Sequence, residues 1–358
     1  MEQGLFVANV LSRWGEPAVL AACGALLGLM FGLAAQRSRF CARAAVIECC
    51  EGRPGDRFSV WWLALGAALA GTQALAMAGW LSPEKSRFIE GSGSLSGASL
   101  GGLCFGAGMI LTRGCASRLL ILSATGNLRA LLSGLVFAVT VQASIAGGLA
   151  PVRQWLAGWW RIDGGSGRDL LALSGLGAPG GLGLALVILI SGVVLFIRQH
   201  DQRLWLGIGA ISCGLAIAAG WGLTQAVARE SFEAIQLQSL SYSGPSAGWL
   251  MRVLASTSVP SFGFDAGVLP ATFAGALIGA LIGREFRIEG FKTENKLGHY
   301  LTGAVMMGFG AVLAGGCTVG AGLTGGAIFA LTAWLTLLSI WVGAAMAWRV
   351  HKAMGWPV

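Results

Sequence analysis

The chain alternates long apolar stretches with short polar connections. The apolar stretches run to about 18–22 residues, enough for a helix to cross a hydrocarbon core roughly 30 Å thick. They predict about nine transmembrane helices, at about 18–36, 58–80, 98–112, 128–150, 180–197, 204–225, 266–283, 299–314 and 327–348. No acidic residue stands clearly inside these spans, which argues against a carboxylate proton relay. The N-terminus lacks the basic n-region of a secretory signal, so the first span is expected to stay in the mature protein.

Two apolar runs are too short to span. "ASRLLILSATGNL" follows Cys115 and "TVGAGLTGGAIF" follows Cys317, each ending among asparagine or glycine. Such runs predict re-entrant half-helices, and non-helical backbone at membrane depth survives only where protein or a water-filled path covers it. "RSRFCARAAVIECC" has the same form: a basic lead, Cys41, then a short apolar helix.

The two Gly-Cys segments repeat one another. Gly101, Gly106, Gly108, Leu111, Gly114 and Cys115 recur as Gly303, Gly308, Gly310, Leu313, Gly316 and Cys317, at a single offset of 202 residues. On the predicted spans they face opposite sides, as in two halves of inverted topology around a central site. A weaker match, "GALLGLMFG" at Gly24–Gly32 with "GALIGALIG" at Gly275–Gly283, comes out parallel instead and is read as ancestry or shared packing.

Composition agrees with the pattern. Charged residues make up 11% of the chain and hydrophobic ones 55%, against roughly 25% charged in a soluble domain. The fold class is an all-α polytopic membrane protein, with nine or so spans, short re-entrant half-helices and two pseudo-symmetric inverted halves. One transport domain is expected over 1–358, with halves of about 18–150 and 180–350. The net charge of +8 is spread over loops, without the basic face that nucleic acid requires.

Charge also predicts orientation. Arg37, Arg39, Arg43, Arg53 and Arg57 put the first connection in the cytoplasm, so the N-terminus lies outside and the C-terminus inside. The loops 151–179 and 226–265 then fall outside, although the first holds Arg153, Arg161 and Arg168 against the rule. The second is long for a connection and is expected to hold a short interfacial helix.

The eight cysteines include no CxxC pair and form neither a disulfide framework nor a zinc site. Cys23, Cys104 and Cys213 read as packing residues, as do Cys49 and Cys50 for the most part. Cys41, Cys115 and Cys317 read as functional. Gly114, Gly316, Arg113 and Thr318 join them as candidate substrate-binding residues. A half-helix starting after Gly114 or Gly316 aims its free N–H groups at the cysteine and favours an anion. Glycine there allows close approach and positive φ. Arg113 and Arg118 flank Cys115 either as snorkelling anchors or as an attraction for the anion. The Cys317 copy has Gly315 and Gly320 in their places, so an arginine is not needed at both ends. Without a close cation the thiols stay protonated, and a thiol is matched best by a large, soft anion such as one with an exposed sulfur.

At these residues the chain resembles a known family. "QRSRFC" at Gln36–Cys41, "RGC" at Arg113–Cys115 and "GGCTVGAGLTGG" at Gly315–Gly326 resemble the YeeE/YedE family of sulfur-transport membrane proteins, over nearly the whole chain. The resemblance implies a bacterial inner-membrane protein of hourglass-like shape that takes up thiosulfate along a line of cysteines, here Cys41, Cys115 and Cys317. It also implies a separate TusA-like cytoplasmic sulfur-carrier protein as partner. It implies no enzyme activity, cofactor or metal. A selenium-containing or other sulfur anion is the alternative cargo. A membrane thiol oxidoreductase or sulfurtransferase using Cys49-Cys50, and a Cu(I) transporter using cysteines with Met306-Met307, are the alternatives of other classes.

Overall fold

The computed structural model describes residues 9–199, 204–231, 235–254, 263–290 and 297–355. Helices dominate it. Among the described residues nine segments are long and apolar enough to cross a membrane. We number the helices α1 (Glu16–Arg37), α2 (Ala42–Cys50), α3 (Asp56–Met77), α4 (Leu95–Leu111), α5 (Ala116–Ala124), α6 (Leu128–Ala146) and α7 (Ala150–Gly158). Then follow α8 (Leu170–Ser174), α9 (Gly177–Arg198), α10 (Leu204–Glu230), α11 (Ser243–Leu254), α12 (Phe264–Ile282), α13 (Leu297–Leu313) and α14 (Leu331–Ala353). A π-helix, Thr318–Gly325, lies between α13 and α14.

Helix ends depart from the hydropathy pattern where local hydrogen bonding decides them. α4 starts at Leu95 because Ser94 Oγ accepts from the Gly97 N–H at 2.8 Å, a cap that apolarity does not register. α12 starts at Phe264, which brings Asp265 into its first turn, so one acidic residue does stand inside a span. α14 runs on to Ala353 with His351 and Lys352 in its last turn, where basic side chains suit the helix dipole.

Small residues set the packing. Gly24, Gly28 and Gly32 of α1 meet the backbone of Phe264, Val268 and Thr272 in turn, and Gly275 of α12 meets that of Leu29. Contacts that rise together along both helices mean that α1 and α12 run parallel. The matching glycine rows are therefore the two sides of one tight interface.

α4 and α13 cross in the opposite sense. A Cβ at Gly101 would lie 2.7 Å from the Gly310 carbonyl oxygen, and one at Gly108 would lie 2.5 Å from that of Gly303. These helices are antiparallel, and only glycine permits so close a crossing.

Three of the nine segments are broken by a turn. Glu16–Cys50 divides into α1 and α2, Leu95–Ala124 into α4 and α5, and Leu297–Gly325 into α13 and the π-helix. The described part of the long connection after α10 is also structured. Leu237, Leu240 and Tyr242 are buried, α11 follows, and Thr324 Oγ1 of the π-helix donates to the Leu240 carbonyl at 2.6 Å. This segment is part of the protein's centre and more than the expected interfacial helix.

Candidate functional site

Each break has the same construction. Ser38 donates its N–H to the Ala34 carbonyl at 2.8 Å, and Phe40 donates to Ala35 at 3.0 Å. Thr112 donates to Gly108 at 2.9 Å, and Gly114 donates to Met109 at 3.2 Å. Between these donors Arg39 and Arg113 sit in the left-handed region at φ 53° and 59°, the closing turn of a helix C-terminus. After α13 the same position is Gly315, at φ 79°. Two residues after each left-handed residue stands a cysteine: Cys41, Cys115 and Cys317.

All three cysteines have extended backbone and cap the N-terminus of a short helix. Cys41 is half-buried, whereas Cys115 and Cys317 are fully buried. The Gly320 N–H donates to Cys317 Sγ at 3.4 Å, and the Cys115 thiol lies 3.4 Å from Ser117 Oγ. Positive φ thus falls one residue before Gly114 and Gly316. Gly316 is instead needed for space, since a Cβ there would lie 2.7 Å from the Ala321 nitrogen. Gly114 has ordinary room, with Leu119 Cδ2 at 3.4 Å.

The structure brings the two Gly-Cys copies together through Thr318. Its buried hydroxyl faces the Cys115 thiol as a weak hydrogen-bonding partner and has no oxygen or nitrogen partner within the protein. Ser241 Oγ, packed on Gly320, is likewise buried and unbonded. Tyr242 stands within electrostatic reach of Cys115, Cys213 and Cys317, with its hydroxyl 3.1 Å from Thr272 Oγ1. Burial pushes the Tyr242 phenol up from its ordinary range, so it stays neutral. Cys213, buried in α10, neighbours Ser38 in the turn before Cys41. Arg113 extends over the Tyr300 ring, 5.9 Å from its centroid, and Arg129 shares that ring at 4.6 Å.

Basic cavities open at either end of the thiols. One, of about 410 Å³, is lined by Arg87, Arg153, Arg161 and Arg168 and reaches Gly315 and Ala321 beside Cys317. No carboxylate lines it among the described residues. Its arginines come from the connection before α4 and from the stretch between α6 and α9. A two-stranded ladder holds Arg161, pairing it with Ser94. Arg168 binds the Gly91 carbonyl and, at 2.9 Å, Thr332 Oγ1, while its Nε is buried without a partner. Burial works against the charge of Arg168, lowering its proton affinity.

The other cavity, about 340 Å³, is lined by Gln36, Arg39, Arg118, Arg284, Glu285 and Arg287. Glu285 ties its rim together, 3.5 Å from Arg39 and accepting from Gln36 Nε2 at 2.8 Å. Arg118 reaches from this cavity toward Cys41 and Cys115, and its Nη1 is buried without a partner. The premise that the thiols lie far from cations therefore fails.

Sequence reasoning missed Arg87, Arg161, Arg168, Ser241 and Tyr242 as parts of this arrangement. One signal was available, since three arginines in a loop assigned to the outside run against the usual charge bias.

The sequence also matches known proteins. Residues 37–346 match the sulphur transport family. The chain is 25% identical over 357 residues to the thiosulfate transporter TsuA of Escherichia coli, covering 92% of this chain and 93% of that protein. It is 25% identical over 343 residues to the thiosulfate transporter TsuA of Spirochaeta thermophila, covering 92% and 98%. A multi-pass helical protein whose broken spans carry the three cysteine motifs, and whose sequence matches over most of its length, belongs to the sulphur transport family, the YeeE/YedE membrane proteins.

Proposed function

We propose that this protein takes up thiosulfate across the bacterial inner membrane through a path that runs from the Arg168 cavity past Cys317, Thr318, Cys115 and Cys41 to the Arg284 cavity. The observation that carries the reading is the approach of Thr318 to Cys115, because it joins the N-termini of two short helices that follow oppositely directed spans. Each such terminus favours an anion by about 0.3–1 kcal/mol, and up to roughly 2 kcal/mol when partly buried. The contacts are numerous and individually weak, as passage demands.

Chemistry supports a sulfur anion. The polarizable sulfurs of Cys115 and Cys317 suit a soft sulfur partner, whereas hard oxyanions prefer the guanidinium groups at the mouths. Ser241 adds a buried hydroxyl with no bond to the protein, and Thr318 adds one that faces the soft Cys115 thiol, so an anion would satisfy both better. The Arg284 face is the cytoplasmic one on this reading, with the C-terminus inside, and a TusA-like carrier would collect the sulfur there. Two inverted halves, about 18–150 and 180–350, would meet at the crossing of α4 and α13.

Uptake of labelled thiosulfate into proteoliposomes tests the proposal. Cys115→Ala and Cys317→Ala should each reduce uptake to the level of empty liposomes while the purified proteins remain monodisperse. Uptake at the wild-type rate by both variants would remove the thiol path. A covalent persulfide accumulating on Cys49 or Cys50 during turnover would instead indicate sulfurtransferase chemistry.

A further inference from the structure

The three thiols share a second feature that the duplicated motif does not contain. Arg43 is the second residue of the helix capped by Cys41 and lies within electrostatic reach of that thiol. Arg118 is the third residue of the helix capped by Cys115 and lies within reach of both Cys115 and Cys41. The π-helix after Cys317 has no arginine, because Gly315 and Gly320 occupy the aligned places. Arg87 supplies the charge instead, from the connection before α4, within reach of Cys317.

These positions oppose elementary electrostatics. A cation in the first turn of a helix faces the positive end of the dipole, and neither short helix carries an acidic residue in that turn. Glu285 shares a cavity with Arg118 but is engaged by Arg39 and Gln36. Further arginines crowd both groups: Arg113 and Arg129 act on Arg43, Arg57 and Arg39 on Arg118. Arg43 Nε and Nη2 and Arg118 Nη1 are buried and make no hydrogen bond within the protein. Buried guanidinium donors without partners are costly, and an oxyanion is the group that removes the cost. Arg87 differs, since Asp265 faces it.

We propose that each thiol works with one half-buried arginine, Cys317 with Arg87, Cys115 with Arg118 and Cys41 with Arg43, and that each pair grips a two-ended anion. The thiol meets the exposed sulfur and the guanidinium meets the oxygens. This rests on the thiosulfate reading above and extends it to selectivity. An anion with oxygens only, such as sulfate, satisfies the arginine and leaves the thiol without a soft acceptor. An anion with a soft sulfur only, such as thiocyanate, satisfies the thiol and leaves the guanidinium unpaired. Only a cargo with both ends engages both groups, and discrimination arises from the partner each rival leaves unsatisfied.

Calorimetric titration of the purified full-length protein with thiosulfate, sulfate and thiocyanate tests the pairing. The wild type should bind thiosulfate at least tenfold more tightly than either of the other two. Arg118→Gln should weaken thiosulfate by about tenfold or more and leave thiocyanate unchanged, and Arg118→Lys should restore part of the loss. Cys115→Ala should weaken thiosulfate and leave sulfate unchanged. Equal loss of thiosulfate and thiocyanate in Arg118→Gln would overturn the pairing, because the arginine would then act only as a general field. Arg87→Gln repeats the measurement at Cys317 should Arg118→Gln fail to fold, with the same two outcomes. A wild type that neither binds nor takes up thiosulfate would remove the functional reading itself, and the pairing with it.

Discussion

The Cys104 thiol donates to the Met306 carbonyl oxygen at 3.3 Å across the crossing of α4 and α13, and the two residues are 202 positions apart. That offset also relates Cys115 to Cys317, so Cys104 touches its own counterpart. The surrounding glycines obey the same relation. Gly101 approaches Gly310, and their counterparts Gly303 and Gly108 approach each other. Contacts of this reciprocal form are those of a two-fold interface, here within a single chain. The local axis passes beside Cys104, whose thiol serves the crossing itself.

Added volume at this crossing should be poorly tolerated. A Cβ at Gly101 would lie 2.5 Å from the Ala314 nitrogen, so Gly101→Val must move backbone. We expect a loss of about 1–3 kcal/mol, read as a lower melting midpoint in detergent. Cys104→Ala, which removes one weak bond, should leave both stability and uptake near wild type.

The two glycines preceding the buried cysteines should respond differently to the same change. Gly316→Ala places a methyl 2.7 Å from the Ala321 nitrogen and should distort the π-helix, cutting thiosulfate uptake strongly. Gly114→Ala meets only Leu119 Cδ2 at 3.4 Å and should retain most uptake. Comparable loss in both would mean that glycine serves the path directly and not through packing.

Arg113 holds a backbone conformation that costs an L-residue about 1–2 kcal/mol. Arg113→Gly should relieve that strain and leave the fold as stable as wild type or more so. It should also lower uptake, because the guanidinium over Tyr300 is lost. A thermal shift and an uptake rate moving in opposite directions would identify Arg113 as strain held for function.

On the proposed reading, arginines lining the Arg168 cavity should act on capture more than on passage. Arg161→Gln removes an exposed charge of the 410 Å³ cavity and should raise the KM for thiosulfate several-fold with little change in maximal rate. Raising ionic strength from low to about 0.15 M, where the screening length is about 8 Å, should weaken wild-type uptake more than that of the variant. Identical salt dependence in both would assign the capture field elsewhere.

The spans and the cysteine elements were legible because each rests on local pattern. An apolar run sets a crossing helix, and a run cut short after cysteine sets a half-helix. Helix ends were less so, since a cap such as Ser94 acts through one hydrogen bond. Arg87 and Arg168 were not legible as site residues, because each enters the site from a connection far from any cysteine in sequence. Ser241 and Tyr242 lay in a stretch that hydropathy reads as a loop, whereas its backbone is held by Thr224 and Thr324, whose hydroxyls donate to Gln238 and Leu240. The parallel arrangement of the Gly24–Gly32 and Gly275–Gly283 rows was legible, and its meaning as one interface emerged only from the packing.

The unpartnered buried donors on Ser241, Arg43, Arg118 and Arg168 have a consequence for how long the protein lasts in the cell. Each leaves the fold short of the stability that a satisfied donor would supply, and a cargo that binds only the folded chain restores it by mass action. A ligand at a hundred times its dissociation constant adds about 2.7 kcal/mol, a sizeable share of what separates a membrane protein from unfolding and degradation. Supply of the anion would thereby set how much of its own transporter survives, without any change in synthesis.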